Sequence, residues 1–252
     1  MRIVVFEDSK ACNFLPLTYT RAAFDLKVGA ASLLDRIRRV LGRVDVVIVR
    51  DYLADVYSER LEGVEVNPRE LDGDALMVNA RALLDDKLAS LVRERLLDKR
   101  YFAVVSGRDV ALAYIPPGIV DKALSEIYDR RELRATLMEL ERLEYGATMI
   151  EYPWELVKLT ASLLASELGS QGDVKGDVDP RAVIYGCRAY ISEGAVVDAY
   201  AVIDSRGGPV YIGEGAHVKA GAVIEGPAYI GEGTVVSPHS YIRSGCSIAV
   251  SY

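Results

Sequence analysis

From Val178 onward, branched apolar residues return with a period of six: Val178, Ile184, Ile191, Val197, Ile203, Ile212, Val218, Ile224, Ile230, Val236, Ile242 and Ile248, with all but two steps six residues long. Two positions before each stands a small residue, at Gly176, Ala182, Ala189, Ala195, Ala201, Ala216, Ala222, Ala228, Thr234, Ser240 and Cys246, with Val210 the exception. That period matches neither a helix nor a plain strand alternation, so every sixth side chain must point to a common axis. Three short strands per triangular turn meet that condition, which predicts a parallel β-helix. The branched residues, stiff at χ1, fill its interior, and the small ones sit near the corners. The longer steps, Ile184 to Ile191 and Ile203 to Ile212, predict bulged corners, the larger at Ser205-Arg206-Gly207-Gly208-Pro209.

Before the repeats, apolar strands alternate with amphipathic helices. Strands are predicted at Ile3–Phe6, Val44–Val49, Ala75–Val78 and Phe102–Val105, and helices at Ala31–Leu41, Asp51–Leu61 and Asp85–Leu97. This is an α/β pattern, Rossmann-like, with a mostly parallel sheet. The expected layout is an α/β domain over 1–152, a linking helix over 153–170 that opens at Pro153, and repeats over 171–252. Trp154, the only tryptophan, is expected to pack that helix against the first domain.

Composition narrows the function classes. With 30 Lys and Arg against 37 Asp and Glu, the net charge of −7 disfavours a general nucleic-acid surface. The opening apolar run is cut short by Glu7 and Asp8, and no run approaches membrane-spanning length, so a cytoplasmic enzyme with no membrane partner is expected. Cys12, Cys187 and Cys246 lack metal-ligand spacing and read as small buried residues. Scarce Asn and Gln beside abundant Arg and Glu fit a heat-adapted source.

Parallel sheets bind ligands beyond the carboxyl ends of their strands. Two such ends carry polar residues: Glu7-Asp8-Ser9-Lys10, and Asn79-Ala80-Arg81. The loop from Glu7 to Gly29 has no clear periodicity, and a loop of that length in a compact domain is usually functional. It holds Lys10, Asn13, Arg21 and Lys27. Cations gathered there suit a polyphosphate, although each also reads as a solvated surface charge.

Phe14-Leu15-Pro16-Leu17-Thr18, after the first strand, resembles the signature loop of sugar-1-phosphate nucleotidyltransferases. Thr20-Arg21, Lys27-Val28-Gly29, Val78-Asn79-Ala80-Arg81 and Tyr152-Pro153-Trp154-Glu155-Leu156 resemble a divergent branch of that family. The branch is similar to the bifunctional UDP-N-acetylglucosamine diphosphorylases/glucosamine-1-phosphate N-acetyltransferases. The resemblance implies a nucleotidyltransferase domain followed by a left-handed β-helix, the hand being that of hexapeptide-repeat acyltransferases. It also implies an NTP, with UTP favoured, a sugar-1-phosphate, Mg²⁺, and a homotrimer assembled through the β-helix.

By the same resemblance, Arg21 and Lys27 are the expected catalytic cations, and Asp8, Ser9, Lys10 and Asn13 line the phosphates. Mainstream members place glycines where this chain has Asp8, Ser9 and Ala11, and an arginine where it has Asn13. Asn79 and Arg81 are placed at the sugar phosphate, with a surface salt bridge the rival reading for Arg81. Asp8 and Glu155 are the metal candidates, since Asn79 is neutral where the family usually has aspartate. An acetyltransferase using acetyl-CoA would need a base, and His217 and His239, both between inward positions, are the candidates, with plain surface histidines as the alternative. The chain reaches Ser251-Tyr252 without a recognisable cap, which predicts either a longer gene product or association, and an incomplete acetyltransferase site. A non-catalytic nucleotide- or sugar-binding regulator is the third reading.

Overall fold

The computed structural model describes residues 1–98, 100–133 and 140–249; Ser251 and Tyr252 lie outside them. The chain divides into two compact units, one formed by Met1–Leu26 and Ala31–Pro153, the other by Lys27–Ala30 and the chain from Trp154 onward.

The first unit is built on β1 (Arg2–Phe6), α1 (Leu33–Leu41), β2 (Val46–Ile48), α2 (Ala54–Arg60), β3 (Glu65–Val66), β4 (Ala75–Asn79), α3 (Asp86–Leu97), β5 (Phe102–Ser106), β6 (Asp109–Ile115), α4 (Pro117–Arg130) and β7 (Glu141–Glu144). The sheet order is β7-β5-β6-β4-β1-β2-β3. All pairings are parallel except those of β6, which runs antiparallel to both β4 and β5. Ile3, Val4, Val5 and Phe6 are all buried, as a strand covered on both faces requires. On one face Val4, Phe6, Ile48 and Met77 meet Val120, Leu124 and Ile127 of α4. Ser32 and Asp35 form a reciprocal capping box that starts α1 two residues later than the apolar pattern alone places it.

Four elements escape the sequence pattern: the two-residue strand β3, and β6, α4 and β7. The turn between β5 and β6 is a two-residue hairpin, Gly107-Arg108, closed by the pair Ser106 and Asp109. Gly107 takes φ +60°, a conformation the tight turn needs and a side chain disfavours. Because β6 runs backwards, its first residue lies at the same edge of the sheet as the last residues of β1 and β4.

The long loop after β1 is not structureless. It contains short 3₁₀ turns at Ser9–Phe14 and Ala23–Asp25, and Glu7 anchors it. Glu7 is fully buried; its carboxylate accepts from the Ala23 amide at 2.8 Å and from Arg50 Nε at 3.2 Å, while Arg50 Nη2 donates to the Arg21 carbonyl at 2.7 Å. Tyr57 adds a second anchor, accepting from the Ala22 amide at 2.7 Å and donating to Asp25 at 2.6 Å. Burial, followed by the Asp25 hydrogen bond, pushes the Tyr57 hydroxyl far above its usual range.

In the second unit α5 (Pro153–Glu167) precedes a parallel β-helix of three ladders. Ile191, Ile212, Ile230 and Ile248 stack in one ladder, Val178, Val197, Val218 and Val236 in the next, and Ile184, Ile203, Ile224 and Ile242 in the third. Each predicted inward residue therefore lies over its equivalent in the next coil. Ala195, Ala201, Ala216, Ala222 and Ala228 are wholly buried beside them. At the enlarged corner the buried Ser205 hydroxyl donates to the Tyr185 carbonyl at 2.7 Å and accepts from the Arg188 amide at 3.1 Å, so its burial costs no unmet hydrogen bond.

The cysteine expectation is corrected. Cys12 and Cys187 are exposed because they fall in turns, and Cys246, at the start of the last strand, is half-buried against the β-helix interior. In α5 the buried residues are Leu156, Thr160 and Leu164, and Trp154 is 54% exposed.

Replacing Glu7 by Gln leaves Arg50 without its buried counter-charge and lowers the unfolding free energy by about 3 kcal/mol in urea titration. Ile224→Ala in the β-helix interior costs about 3 kcal/mol, whereas Val235→Ala, on an exposed outward position, changes stability by less than about 0.5 kcal/mol. Equal effects at Ile224 and Val235 would contradict the inward assignment.

Candidate active site

Strand order reverses at β1. The chain moves outward through β2 and β3, then returns to place β4 on the other side of β1, so the loops after β1 and β4 diverge. Such a switch point leaves a crevice at the carboxyl ends. A cleft opens there, lined among others by Asp8, Ser9, Lys10, Asn79, Arg108 and Asp109.

Its floor is a buried ion pair. Arg81 has no exposed surface; Nε donates to Asp8 Oδ1 at 2.8 Å, Nη2 to Asp8 Oδ2 at 2.5 Å, and Nη1 to the Ile150 carbonyl at 2.9 Å. Asn79 Nδ2 donates to Asp8 Oδ2 at 2.9 Å, and Asn79 Oδ1 accepts from the Arg81 amide at 3.0 Å. Burial alone would lower the Arg81 pKa, but its hydrogen bonds and charge pairing with Asp8 outweigh it and push the pKa up. The bidentate fork fixes both partners in one plane.

Above the floor lies a second cation. Lys10 Nζ donates to Asp109 Oδ2 at 2.8 Å and to Glu151 Oε1 at 2.5 Å, and Asp109 Oδ1 is 3.6 Å from Arg81 Nη2. Burial acts to depress the Lys10 pKa, but Asp109 and then Glu151 overcome it and push it up. For Asp109 burial acts upward, and the Lys10 hydrogen bond with the Arg81 charge overcomes it and holds the carboxyl below its usual range. A β-bulge between Val104 and Val105 lies a few residues from this edge, a common device for aiming side chains at a site.

The expected site residues take definite places. Asp8, Lys10, Asn79 and Arg81 converge on the cleft. Ser9 and Asn13 belong to the 3₁₀ turn Ser9–Phe14, which Asp8 caps by accepting from the Lys10 amide at 3.1 Å; this turn stands where mainstream members carry glycines. The Arg81 guanidinium is spent on Asp8 below the cleft rather than on a surface salt bridge. Arg21 is half-buried, its carbonyl held by Arg50. Lys27 and Glu155 belong to the second unit, where Lys27 is exposed, Gly29 donates to Thr160 Oγ1 at 3.3 Å, and Glu155 sits in the first turn of α5.

Asp8, a metal candidate in the sequence, gives both oxygens to Arg81 and Asn79. Among the described residues no group of three or more His, Cys, Asp or Glu side chains is placed to hold a metal ion. The donor set therefore does not fit a resident divalent cation.

Sequence reasoning missed Arg108, Asp109 and Glu151. Ser106-Gly107, a turn dipeptide before the apolar run Val110–Ile115, was the available signal for the hairpin that delivers the first two. Glu151 lies one residue before the Tyr152-Pro153 segment.

On the β-helix, His217 and His239 both face outward, as the repeat register demands. His217 Nε2 lies 2.9 Å from Asp198 Oδ1, and Lys219 Nζ lies 2.9 Å from Nδ1. With the ammonium donating to Nδ1, the ring proton sits on Nε2 and faces Asp198, so neither nitrogen is left to accept a proton from an amine. His239 is exposed at a corner with φ +56°, its ring lying over Gly221.

Two family models match the two parts of this architecture. No helix among the described residues is long and apolar enough to cross a membrane. Residues 209–244 match the bacterial transferase hexapeptide model of six repeats, which identifies the repeat domain as a left-handed β-helix. A solved structure, a putative glucose-1-phosphate thymidylyltransferase from Bacillus anthracis in complex with a sucrose, is 13% identical with a TM-score of 0.46, covering 68% of this chain and 97% of that one. No curated protein matches. The sugar nucleotidyl transferase model matches residues 3–170, most of the chain, and the protein therefore belongs to the sugar nucleotidyl transferase family.

Proposed function

We propose that this nucleotide-sugar-forming enzyme joins UTP to N-acetylglucosamine-1-phosphate and releases pyrophosphate. A sugar-1-phosphate oxygen attacks the α-phosphorus; the new O–P bond forms as the bond to the β-phosphate oxygen breaks, and pyrophosphate carries away the charge. No protein nucleophile is needed. Catalysis rests on alignment and on cations that meet the developing charge. The observation that carries the reading is the switch-point cleft, which brings Lys10 and Arg108, from segments far apart in sequence, over the buried Arg81–Asp8 pair. The preference for UTP and N-acetylglucosamine-1-phosphate rests on the branch-specific segments Thr20-Arg21, Lys27-Val28-Gly29 and Tyr152–Leu156.

Arg21 and Arg108 are the cations we assign to the triphosphate, because neither side chain has an ion-pair partner among the described residues. Lys27 is assigned to the phosphates by the motif it belongs to. Asn79 and Arg81 shape the sugar-phosphate side of the cleft through Asp8 rather than by direct charge contact. We assign Mg²⁺ to the nucleotide it arrives with, and no step here depends on a protein-bound ion. The acetyl-CoA reading loses support from the engagement of both His217 nitrogens.

A pyrophosphate-release screen over four NTPs and several sugar-1-phosphates tests the proposal. Release is expected only when both substrates are present, and highest with UTP and N-acetylglucosamine-1-phosphate. Arg21→Ala and Arg108→Ala should each lower kcat/KM for the NTP by about tenfold or more, the loss of one charge-assisted hydrogen bond. Tight nucleotide binding without turnover of any pair would favour the regulator reading instead.

A further inference from the structure

The cleft presents an electrostatic conflict. Lys10 and Arg81 face three carboxylates, those of Asp8, Asp109 and Glu151, so the inner cluster is formally negative where a triphosphate has to bind. Arg81 cannot turn outward, being wholly buried with three hydrogen-bonding nitrogens. Lys10 differs. Its side chain is 34% exposed and it lines the cleft. A lysine ammonium is a point charge on a flexible stem, able to exchange one anionic partner for another with little geometric demand.

We propose that Asp109 and Glu151 are positioning residues that act through Lys10, holding its ammonium when the cleft is empty and competing with bound polyphosphate for it. This deepens the nucleotidyltransferase reading and rests on it. When a triphosphate enters, its oxygens take over the ammonium from the carboxylates. When pyrophosphate forms, the two carboxylates recapture Lys10 and weaken the hold on the leaving product. Asp109 is the more consequential of the pair, because it also lies 3.6 Å from Arg81 Nη2 and so ties the mobile cation to the fixed one. The hairpin Gly107-Arg108 has a matching part in this arrangement: it places an exposed arginine at the cleft beside the carboxylate that holds the lysine.

A purely structural role and a competing role predict opposite signs. If Asp109 and Glu151 only support the fold, neutralising either loosens the site and weakens anion binding. If they compete for Lys10, neutralising either frees the ammonium and tightens it.

The test is calorimetric binding of inorganic tripolyphosphate to the full chain, which needs no knowledge of the base or sugar. Asp109→Asn and Glu151→Gln are each expected to lower the Kd by about fivefold, the effect of removing one unit charge at a partly screened distance. Lys10→Ala should raise the Kd by about tenfold, and in the Lys10→Ala background Asp109→Asn should no longer tighten binding. In turnover Asp109→Asn should lower KM for the NTP and kcat together, as slower pyrophosphate release requires. Glu151→Gln, at a half-exposed position, keeps the test valid if Asp109→Asn does not fold. Weaker or unchanged binding in the neutralised variants, or tightening that persists without Lys10, overturns the proposal while leaving the nucleotidyltransferase reading intact. Absence of tripolyphosphate binding by every form, wild type included, also overturns the proposal and leaves the family assignment, which rests on the sequence match, in place.

Discussion

A guanidinium with no solvent contact remains in a protein interior only beside a carboxylate that accepts its hydrogen bonds, and in this chain that requirement ties Arg81 to Asp8. The pair joins the residue two past the end of one central strand to the residue two past the end of its neighbour. Asn79 completes it from the strand terminus itself. Everything at the cleft is positioned from this plane: Asp8 caps the turn that carries Ser9 and Lys10, Arg81 meets Asp109, and Asp109 meets Lys10. Glu7 and Arg50 do for the rest of the loop what Asp8 and Arg81 do for its beginning.

The β-helix was legible because its code is local and repetitive. One period, one residue class and one geometry repeat coil after coil, so Ile212, Ile230 and Ile248 announce one another, and even the enlarged corner at Ser205–Pro209 shows as a longer step. The parallel strands β1, β2, β4 and β5 were legible for a related reason, since burial on both faces leaves uninterrupted apolar runs. The antiparallel strand β6 was not. Its apolar residues follow β5 after only a two-residue turn, and no pattern within it states that it reverses direction and inserts between β4 and β5.

That blind spot explains the incomplete site. Asp8, Lys10, Asn79 and Arg81 follow parallel strands, where polar residues at a carboxyl end advertise a binding edge. Asp109 begins an antiparallel strand, and only the folded sheet reveals that its start shares that edge. The roles were hard to read for a different reason. Arg81 and a phosphate-binding arginine look the same in a sequence, and what separates them is burial and a bidentate partner. The neutral Asn79 likewise gains its meaning from Asp8, to which it donates rather than standing as a weakened metal ligand.

The chain belongs to the sugar nucleotidyl transferase family, and the reaction proposed for its cleft is a direct displacement assisted by cations, without a covalent intermediate. A single-turnover reaction with UTP labelled at the α-phosphorus and N-acetylglucosamine-1-phosphate tests this most directly. The account predicts that the label moves into the sugar nucleotide with one pyrophosphate released per transfer, none of it remaining on the denatured protein. Label held covalently by the chain, or released only as UMP, would contradict it.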